Sequence, residues 1–205
     1  MDYKFPNFLI EDQYQGLVLG IDEAGRGPLA GPVVAACVLL DRGNYPANIN
    51  DSKKLSKKMR HEINLQLQSC AKFAVGIVNE DIIDKINILN AAKLAMKLAF
   101  ENLCIKYKIL PDMVLVDGNF VPDIDCKTQA VVKGDQKSLS IAAASIVAKQ
   151  TRDQIMLNLD KEFPEYGWSK NQAYPTKQHI EQIKQIGICK YHRRSFSPIK
   201  NYVNN

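Results

Sequence analysis

The sequence predicts an α/β fold in which a mixed sheet of about five strands is flanked by helices. Short apolar runs of strand length alternate along the chain with longer segments of helical spacing. A turn rich in glycine and proline joins the first two runs and favours an antiparallel pair, whereas helices separate later runs and favour crossover connections. With 205 residues, of which 46% are apolar, the chain is long enough for one domain with a full core.

The first half of the chain contains three predicted strands and one helix. Residues 16–23 ("GLVLGIDE") form an apolar run that ends in charge, which is typical of a buried strand, and residues 31–40 ("GPVVAACVLL") form the second. Residues 56–69 have helical spacing, and residues 71–79 ("AKFAVGIVN") read as the third strand. These segments predict the antiparallel opening of the sheet.

The second half continues with helices and two further strands. Residues 81–107 are predicted to be mostly helical, and strands are predicted at 113–118 ("MVLVDG") and 128–134 ("TQAVVKG"). A long helix is predicted over 138–159 and a final one over 176–185. The first half of the long helix consists of small residues, which allow a helix to lie close against a sheet or a ligand.

Charge is distributed unevenly along this chain of net charge +5. Residues 161–205 carry eight Lys/Arg against three Asp/Glu, and residues 51–61 carry five Lys/Arg against one acid. Two basic patches on a neutral body suit a polyanion such as nucleic acid. A solvated helix face and a soluble tail are the alternative for each patch alone. We expect one domain over 1–205, with a core at about 16–160 and a basic helical C-terminal extension at about 161–205.

Several protein classes are excluded by composition. No apolar run reaches the length of a membrane span, and the N-terminus does not resemble a signal peptide. The five cysteines are scattered, so no pair has zinc-site spacing, and their odd number argues against a disulfide framework. A cytoplasmic protein with no membrane association is expected.

Four carboxylates lie where predicted strands end. Asp22 and Glu23 close the first strand, Asp117 follows the fourth, and Asp135 follows the fifth and precedes a helix. Functional sites of α/β sheets gather at strand ends. Carboxylates that converge there repel one another unless cations lie between them, and oxygen ligands favour Mg²⁺ or Mn²⁺. Two such ions about 4 Å apart activate water and stabilise a leaving oxygen in phosphodiester cleavage.

Each acid alone also has a purely structural interpretation. Asp117 is followed by glycine as in a turn, Asp135 is placed as a helix N-cap, and Asp22 and Glu23 fit a solvated strand end. Consecutive residues of a regular strand face opposite sides, so Asp22 and Glu23 share one site only if the pleat breaks, which Gly25 permits. Asp153 is expected to be an exposed helix residue.

Six sequence blocks resemble ribonuclease HII of bacteria. They occur in the family's order between residues 20 and 199, and the first and fourth are long and specific. The blocks are "GIDEAGRGPLAGPVVAA", "NDSKKLS", "LVDGN", "KGDQKSLSIAAASIVAK", "YPTKQH" and "HRRSFSPI".

The resemblance implies an RNase H-like fold and hydrolysis of the RNA strand of RNA/DNA hybrids. It also implies incision on the 5′ side of a ribonucleotide embedded in duplex DNA, with 3′-hydroxyl and 5′-phosphate products. The expected partners are therefore RNA/DNA hybrids and duplex DNA that contains ribonucleotides, and we expect a monomer. The family's four-carboxylate site, which binds two Mn²⁺ or Mg²⁺ ions with substrate, falls on Asp22, Glu23, Asp117 and Asp135.

The resemblance further assigns substrate contacts. The turn Gly25, Arg26 and Gly27 is expected to approach the nucleic-acid backbone and sense the 2′-hydroxyl, which a glycine backbone permits because no side chain blocks the approach. Tyr174 is expected to stack on the sugar at the RNA-to-DNA junction, although Ala173 stands where glycine is common in the family. The remaining expected contacts are Asn50, Lys53 and Lys54 with DNA-strand phosphates.

Other positions in the matching blocks carry weaker assignments. Lys137 and Ser138 are expected either to touch the substrate near Asp135 or to begin the helix. Generic roles in structure or phosphate contact are expected for His179, His192, Arg193 and Arg194.

Two rival functions make different predictions. A ribonuclease HIII-like enzyme usually carries an extra N-terminal domain and lysine in the Gly-x-Gly turn, whereas about 16 residues precede the first strand here and the turn holds Arg26. A hybrid-binding module without catalysis would lack one or more of the carboxylates, and all four are present. An assay on a duplex with one internal ribonucleotide separates the three functions.

Overall fold

The structure, a computed structural model, describes residues 5–202 and contains one mixed five-stranded sheet. The strands are β1 Val18–Ala24, β2 Val33–Leu39, β3 Lys72–Val78, β4 Met113–Asp117 and β5 Thr128–Val131. They lie in the order β3-β2-β1-β4-β5. β2 pairs antiparallel with β1 and β3, whereas β1, β4 and β5 are parallel. The predicted mixed sheet with an antiparallel opening is confirmed.

Residues 5–202 also form five α-helices. They are α1 Lys57–Cys70, α2 Glu80–Tyr107, α3 Leu139–Glu162, α4 Trp168–Asn171 and α5 Lys177–Ile186. The hydroxyls of Ser56, Ser138 and Thr176 cap α1, α3 and α5, which explains where these helices begin. The short α4 was not predicted, and α3 extends beyond its predicted end. No helix among residues 5–202 is long and apolar enough to cross a membrane.

Helix α2 is interrupted at Asn87. Its backbone has φ 65° and ψ 164°, which is not helical. The Asn87 side-chain oxygen accepts hydrogen bonds from the backbone N–H groups of Leu89 and Asn90, at 3.0 and 3.1 Å. The asparagine therefore caps a second helical segment, and the predicted single helix over 81–107 is two segments.

The two faces of the sheet are covered by different helices. Helix α2 packs its alanines on the face that carries Leu19 and Ile21 of β1. Helices α1 and α3 cover the opposite face. The backbones of β1 and α3 lie very close together, because a Cβ added at Gly20 would lie 2.2 Å from the carbonyl carbon of Ser140. The small residues predicted for the first half of this helix do lie against the sheet.

The C-terminal extension packs on the segment that joins β1 to β2. Leu29 and Ala30 of that segment share an apolar cluster with Trp168, which is fully buried, and Tyr166. The Tyr166 and Trp168 rings are stacked with centroids 5.0 Å apart. His179 accepts the indole N–H of Trp168 at 3.1 Å, and its Nδ1 lies 3.0 Å from the carbonyl oxygen of Tyr174. His179 is thus a structural residue that anchors the backbone around Tyr174.

Candidate active site

Parallel pairing between β1 and β4 places Asp22 beside Asp117. The pairing runs from Val18 opposite Met113 to Ile21 opposite Val116, so the next position on each strand is an aspartate. In-register residues of neighbouring strands point to the same face. Both side chains therefore lie on the face covered by α3, at the end where β1 and β4 diverge.

A tight turn brings Asp135 to the same place. The 3₁₀ turn Gly134–Gln136 follows β5, and the Gly134 N–H donates to Asp117 Oδ1 at 2.6 Å. A Cβ at Gly134 would lie 2.6 Å from Ile141 Cδ1, so a larger residue would require the Ile141 side chain to move. One carboxylate oxygen from each of Asp22, Asp117 and Asp135 lies within 4.8 Å of the others. These three residues, which we call the acidic cluster, offer only oxygen atoms as ligands.

Burial and mutual repulsion make the acidic cluster electrostatically unfavourable without a cation. Asp22 and Asp135 are only 5% and 4% exposed. Burial raises the pKa of Asp22 well above its usual range, and the neighbouring charges of Glu23, Asp117 and Asp135 raise it further. Burial also raises the pKa of Asp135, and the negative charge of Asp117 raises it further. A divalent cation bound between these oxygens would offset both the burial of their charges and their mutual repulsion.

Glu23 lies beside the acidic cluster but is not part of it. Strand β1 is continuous from Val18 to Ala24, and its register with β2 places Glu23 opposite Ala35. Glu23 is close enough to the acidic cluster for its charge to act on Asp22 and for that of Asp117 to act on it. Its Oε1 accepts from Arg26 Nη1 at 3.2 Å, and its buried Oε2 has no hydrogen-bond partner among residues 5–202. Burial raises the pKa of Glu23, and Arg26 opposes that rise. The unpartnered oxygen leaves Glu23 with capacity for another ligand.

A basic loop lies beside the acidic cluster. Lys53 Nζ is 3.4 Å from Asp135 Oδ2, although the lysine side chain is 79% exposed. Burial alone would lower the pKa of Lys53, but the nearby carboxylates outweigh it and raise that pKa. Lys54 is exposed, and the Asn50 side chain accepts from the Asp51 N–H at 2.9 Å. The predicted contacts Asn50, Lys53 and Lys54 therefore share one loop at the edge of the site.

Sequence reasoning missed Asp51 and misjudged Asp153. Asp51 is buried, accepts from the Lys53 N–H at 2.9 Å and receives the Gln136 side chain at 3.3 Å, so it ties the basic loop to the turn of Asp135. An acid directly before Ser-Lys was a turn signal that could have identified it. Asp153 was predicted to be exposed, but its side chain is 13% exposed and pairs with Lys149 and Arg60.

The Gly25–Gly27 turn follows β1 and lies under the ring of Tyr174. Gly25 has φ +100°, and a Cβ there would lie 2.3 Å from Arg152 Nε, so glycine is required. A Cβ at Gly27 would lie 3.3 Å from Tyr174 Cε1. Tyr174 remains 45% exposed. The structure thus brings the predicted backbone sensor and the predicted stacking ring together at one surface.

Ala173 adopts the conformation that glycine would have adopted. Its φ is 62°, in the left-handed region, and the residue is fully buried. Its carbonyl accepts from the Leu29 N–H at 2.8 Å. The alanine therefore costs about 1 kcal/mol of backbone strain but leaves Tyr174 beside Gly27.

Of the two roles expected for Ser138, the structure shows that it begins helix α3. It is fully buried, its hydroxyl donates to Glu11 Oε1 at 2.6 Å, and it accepts from the Ile141 N–H at 3.2 Å. Glu11, which sequence reasoning did not identify, also accepts from the Ser140 N–H at 3.0 Å. Lys137 is partly exposed, and its carbonyl accepts from the Asn7 N–H. An N-terminal segment thus fixes the start of α3.

Comparison with known proteins identifies relatives over nearly the whole chain. The sequence profile of the family described as Ribonuclease HII matches residues 19–199. The chain is 50% identical to Ribonuclease HII of Zymomonas mobilis over 200 residues, which cover 98% of this chain and 93% of that protein. The crystal structure of ribonuclease H2 from Pyrococcus horikoshii superposes with a TM-score of 0.73 and 26% identity, over 91% of this chain and 97% of that one.

A more distant structure shares the fold alone. Bst-RNase HIII in complex with Mn²⁺ superposes with a TM-score of 0.70 at 19% identity, over 91% of this chain and 68% of that one. Together with the mixed five-stranded sheet, these similarities confirm the predicted RNase H-like fold.

Proposed function

The chain belongs to the ribonuclease HII family, and on that premise we propose that its acidic cluster, with Glu23 beside it, is the catalytic metal site. Membership makes the protein a metal-dependent ribonuclease H, an endonuclease that acts on RNA/DNA hybrids. We further propose that it incises duplex DNA on the 5′ side of an embedded ribonucleotide and leaves 3′-hydroxyl and 5′-phosphate ends.

The donor set supports this metal site. Three carboxylate oxygens within 4.8 Å of one another, two of them on buried aspartates, are suited to Mg²⁺ or Mn²⁺ rather than to softer metals. The buried Oε2 of Glu23 has no partner and supplies a further oxygen donor. When bound, two such ions supply an activated water and stabilise the leaving 3′-oxygen.

The residues around the cluster have distinct tasks in this proposal. Asp117 and Asp135 are fixed by the Gly134 turn, and Asp22 by β1, so the ligands are held before substrate arrives. The basic loop with Asn50, Lys53 and Lys54 binds phosphates of the DNA strand. The Gly25–Gly27 turn senses the 2′-hydroxyl, and Tyr174 stacks on the following sugar. Readout by shape and the 2′-hydroxyl gives little base preference.

The proximity of Asp22, Asp117 and Asp135 carries the proposal, and cleavage-site mapping tests it. A duplex with one internal ribonucleotide should be cut once, directly 5′ of that ribonucleotide, with either Mn²⁺ or Mg²⁺. Asp117→Asn should reduce the rate on the order of 10³-fold while keeping the fold, because the asparagine oxygen still accepts from Gly134.

Asp123→Asn, at an exposed position, is the matched control and should cleave like the wild type. Cleavage of a continuous hybrid without cleavage at the single ribonucleotide would favour the ribonuclease HIII alternative. Binding without any cleavage would favour a hybrid-binding module. Unchanged turnover of Asp117→Asn at saturating metal would remove the acidic cluster from the mechanism.

Tyr174→Ala should lower kcat/KM on the one-ribonucleotide duplex about tenfold, because the stacking surface on the sugar is lost. Tyr174→Phe keeps the ring and should stay within about twofold of the wild type. Steady-state kinetics of both variants on the same duplex measure this. Equal losses in the two variants would assign the contribution to the hydroxyl group and contradict stacking.

We also propose that residues 16–160 and the extension work as one domain of a monomeric enzyme, because every proposed site residue comes from one chain. The ends of the predicted range 1–205 lie outside the described residues. The five cysteines are free thiols, which supports the proposal of a reducing cytoplasm. Sedimentation of the protein with and without a duplex tests the monomer.

A further inference from the structure

Two buried arginines hold the carbonyl groups of the segment between β1 and β2. Arg152 on α3 is 1% exposed and Arg193 is fully buried. Arg193 donates through Nη2 to the Gly25 carbonyl at 2.6 Å, through Nη1 to the Arg26 carbonyl at 3.2 Å and through Nε to the Gly31 carbonyl at 2.9 Å. Both guanidinium groups are thus committed to main-chain oxygens.

Arg152 extends this arrangement to the backbone next to Tyr174. It donates to the carbonyls of Pro32 and Ala30 at 3.0 and 3.1 Å, and to the carbonyl of Gln172 at 3.2 Å. Gln172 precedes Ala173 and Tyr174, so the Arg152 guanidinium connects the end of the segment between β1 and β2 with the backbone that carries Tyr174. Arg193 holds the Gly25–Gly27 turn itself, and both arginines bind the Ala30–Pro32 part of that segment.

The direction of each carbonyl group also fixes the direction of the N–H group in the same peptide unit. In a trans peptide, the C=O of one residue and the N–H of the next point in opposite directions. The carbonyls of Gly25 and Arg26 point inward to Arg193, so the N–H groups of Arg26 and Gly27 point outward. Within residues 5–202, neither N–H group donates to a protein acceptor. The turn therefore presents two free donors at the surface under Tyr174.

Burying a charged guanidinium group away from water is energetically unfavourable unless its charge is compensated. Among residues 5–202, no carboxylate oxygen lies within 4.0 Å of either guanidinium. Burial lowers the pKa of Arg152 to about 10, and burial together with the charge of Arg152 lowers the pKa of Arg193 to about 9, so both remain cations at neutral pH. The charges of Glu80 and Asp84 oppose this lowering for Arg193, and that of Asp153 opposes it for Arg152.

We propose that Arg152 and Arg193 are positioning residues that aim the N–H groups of Arg26 and Gly27 at the sugar-phosphate backbone and so set the preference for a ribonucleotide. This inference rests on the proposed function of the Gly25–Gly27 turn. It adds the cause of the turn's geometry: buried guanidinium groups, each held by three main-chain carbonyls, act through the peptide groups and do not touch the substrate.

A comparison of binding preferences tests this. In an Asp117→Asn parent, whose cleavage is expected to be slowed on the order of 10³-fold, affinity is measured by fluorescence anisotropy for two duplexes that differ only in one internal ribonucleotide. The parent should prefer the ribonucleotide duplex on the order of tenfold, the value of one hydrogen bond. Adding Arg193→Lys keeps the charge but loses the three-carbonyl geometry. The preference should then fall to within about twofold.

Arg60→Lys is the matched control, because Arg60 is also buried and donates to a main-chain carbonyl, that of Ser52, away from the turn. It should keep the parent's preference, whatever its overall affinity. If Arg193→Lys weakens both duplexes equally, the arginine is merely structural and the inference is overturned. If the parent itself shows no preference, 2′-hydroxyl sensing fails in the proposed function and the inference fails with it.

Two further measurements test the inference if the Arg193→Lys variant does not fold. If Arg193→Lys lacks a cooperative thermal transition, the same comparison is made with Arg152→Lys, and a retained preference overturns the inference. In the folded parent, the amide NMR signals of Arg26 and Gly27 should shift more with the ribonucleotide duplex than with the all-DNA duplex. Equal shifts would also overturn it.

Discussion

Asp22→Asn is expected to abolish cleavage and to make the metal-free protein more stable. Asp22 is a buried carboxylate whose pKa is raised by burial and by three neighbouring acids, so its charge opposes folding when no cation is bound. Asparagine has nearly the same shape and keeps the oxygen that accepts from the Glu23 N–H at 2.6 Å. Removing the charge should therefore add about 1 kcal/mol to the free energy of unfolding, as is common for substitutions at strained functional sites.

Thermal unfolding in EDTA and in saturating Mn²⁺ measures this effect. In EDTA the variant should melt roughly 2–4 °C above the wild type, as expected for about 1 kcal/mol in a chain of this size. Mn²⁺ should raise the melting temperature of the wild type by mass action and that of the variant much less. The cleavage rate should fall on the order of 10³-fold.

The exposed Asp125→Asn is the control and should change neither the rate nor the response to metal. A variant at position 22 that melts below the wild type in EDTA would show that repulsion in the acidic cluster does not oppose folding. A variant that still cleaves would show that Asp22 is not a required ligand.

Sequence reasoning predicted most of the fold because the strands are short and strongly apolar. Strand β4, for example, is nearly continuous aliphatic sequence that ends at Asp117. Helix α4 was missed because it has only four residues, too few to show a helical hydrophobic pattern, and it is flanked by left-handed backbone at Gly167 and Gln172. The break at Asn87 was missed because alanine and leucine continue the helical pattern on its C-terminal side.

The acidic cluster was predictable only in part, for a geometric reason. Strand ends locate Asp22 and Asp117, and the parallel register that places them together follows from crossover connections. The alternation of β1 left open whether Glu23 could share a site with Asp22. In the described residues Glu23 lies beside the three carboxylates that approach within 4.8 Å of one another and is not one of them. The specific roles of Glu11, Arg152 and Arg193 could not be assigned, because they depend on contacts between segments far apart in sequence. The sequence signals a turn at Asp51 but not its contact with Gln136.

Gly20→Ala is expected to destabilise the fold and the site together. Gly20 lies on the same face of β1 as Asp22, and an added Cβ would lie 2.2 Å from the Ser140 carbonyl carbon and 2.4 Å from the Ile141 nitrogen. These atoms belong to the backbone at the start of α3 and cannot rotate away. The methyl group must displace the helix, at a cost of about 3 kcal/mol. Because the turn that holds Asp135 is joined to α3 only by Lys137 and Ser138, the same displacement would draw its carboxylate away from Asp22 and Asp117.

Thermal unfolding and metal titration of the cleavage rate together measure both consequences. The melting temperature should fall by roughly 6–12 °C, and the metal concentration for half-maximal cleavage should rise, because one ligand has moved. Gly43→Ala is the control, since its added Cβ would lie at an ordinary 3.5 Å from Asp41 Oδ1 and should change stability by less than about 0.5 kcal/mol. A Gly20→Ala protein with lower stability but unchanged metal dependence would show that α3 can shift without moving Asp135, and that the acidic cluster is held by the Gly134 turn alone.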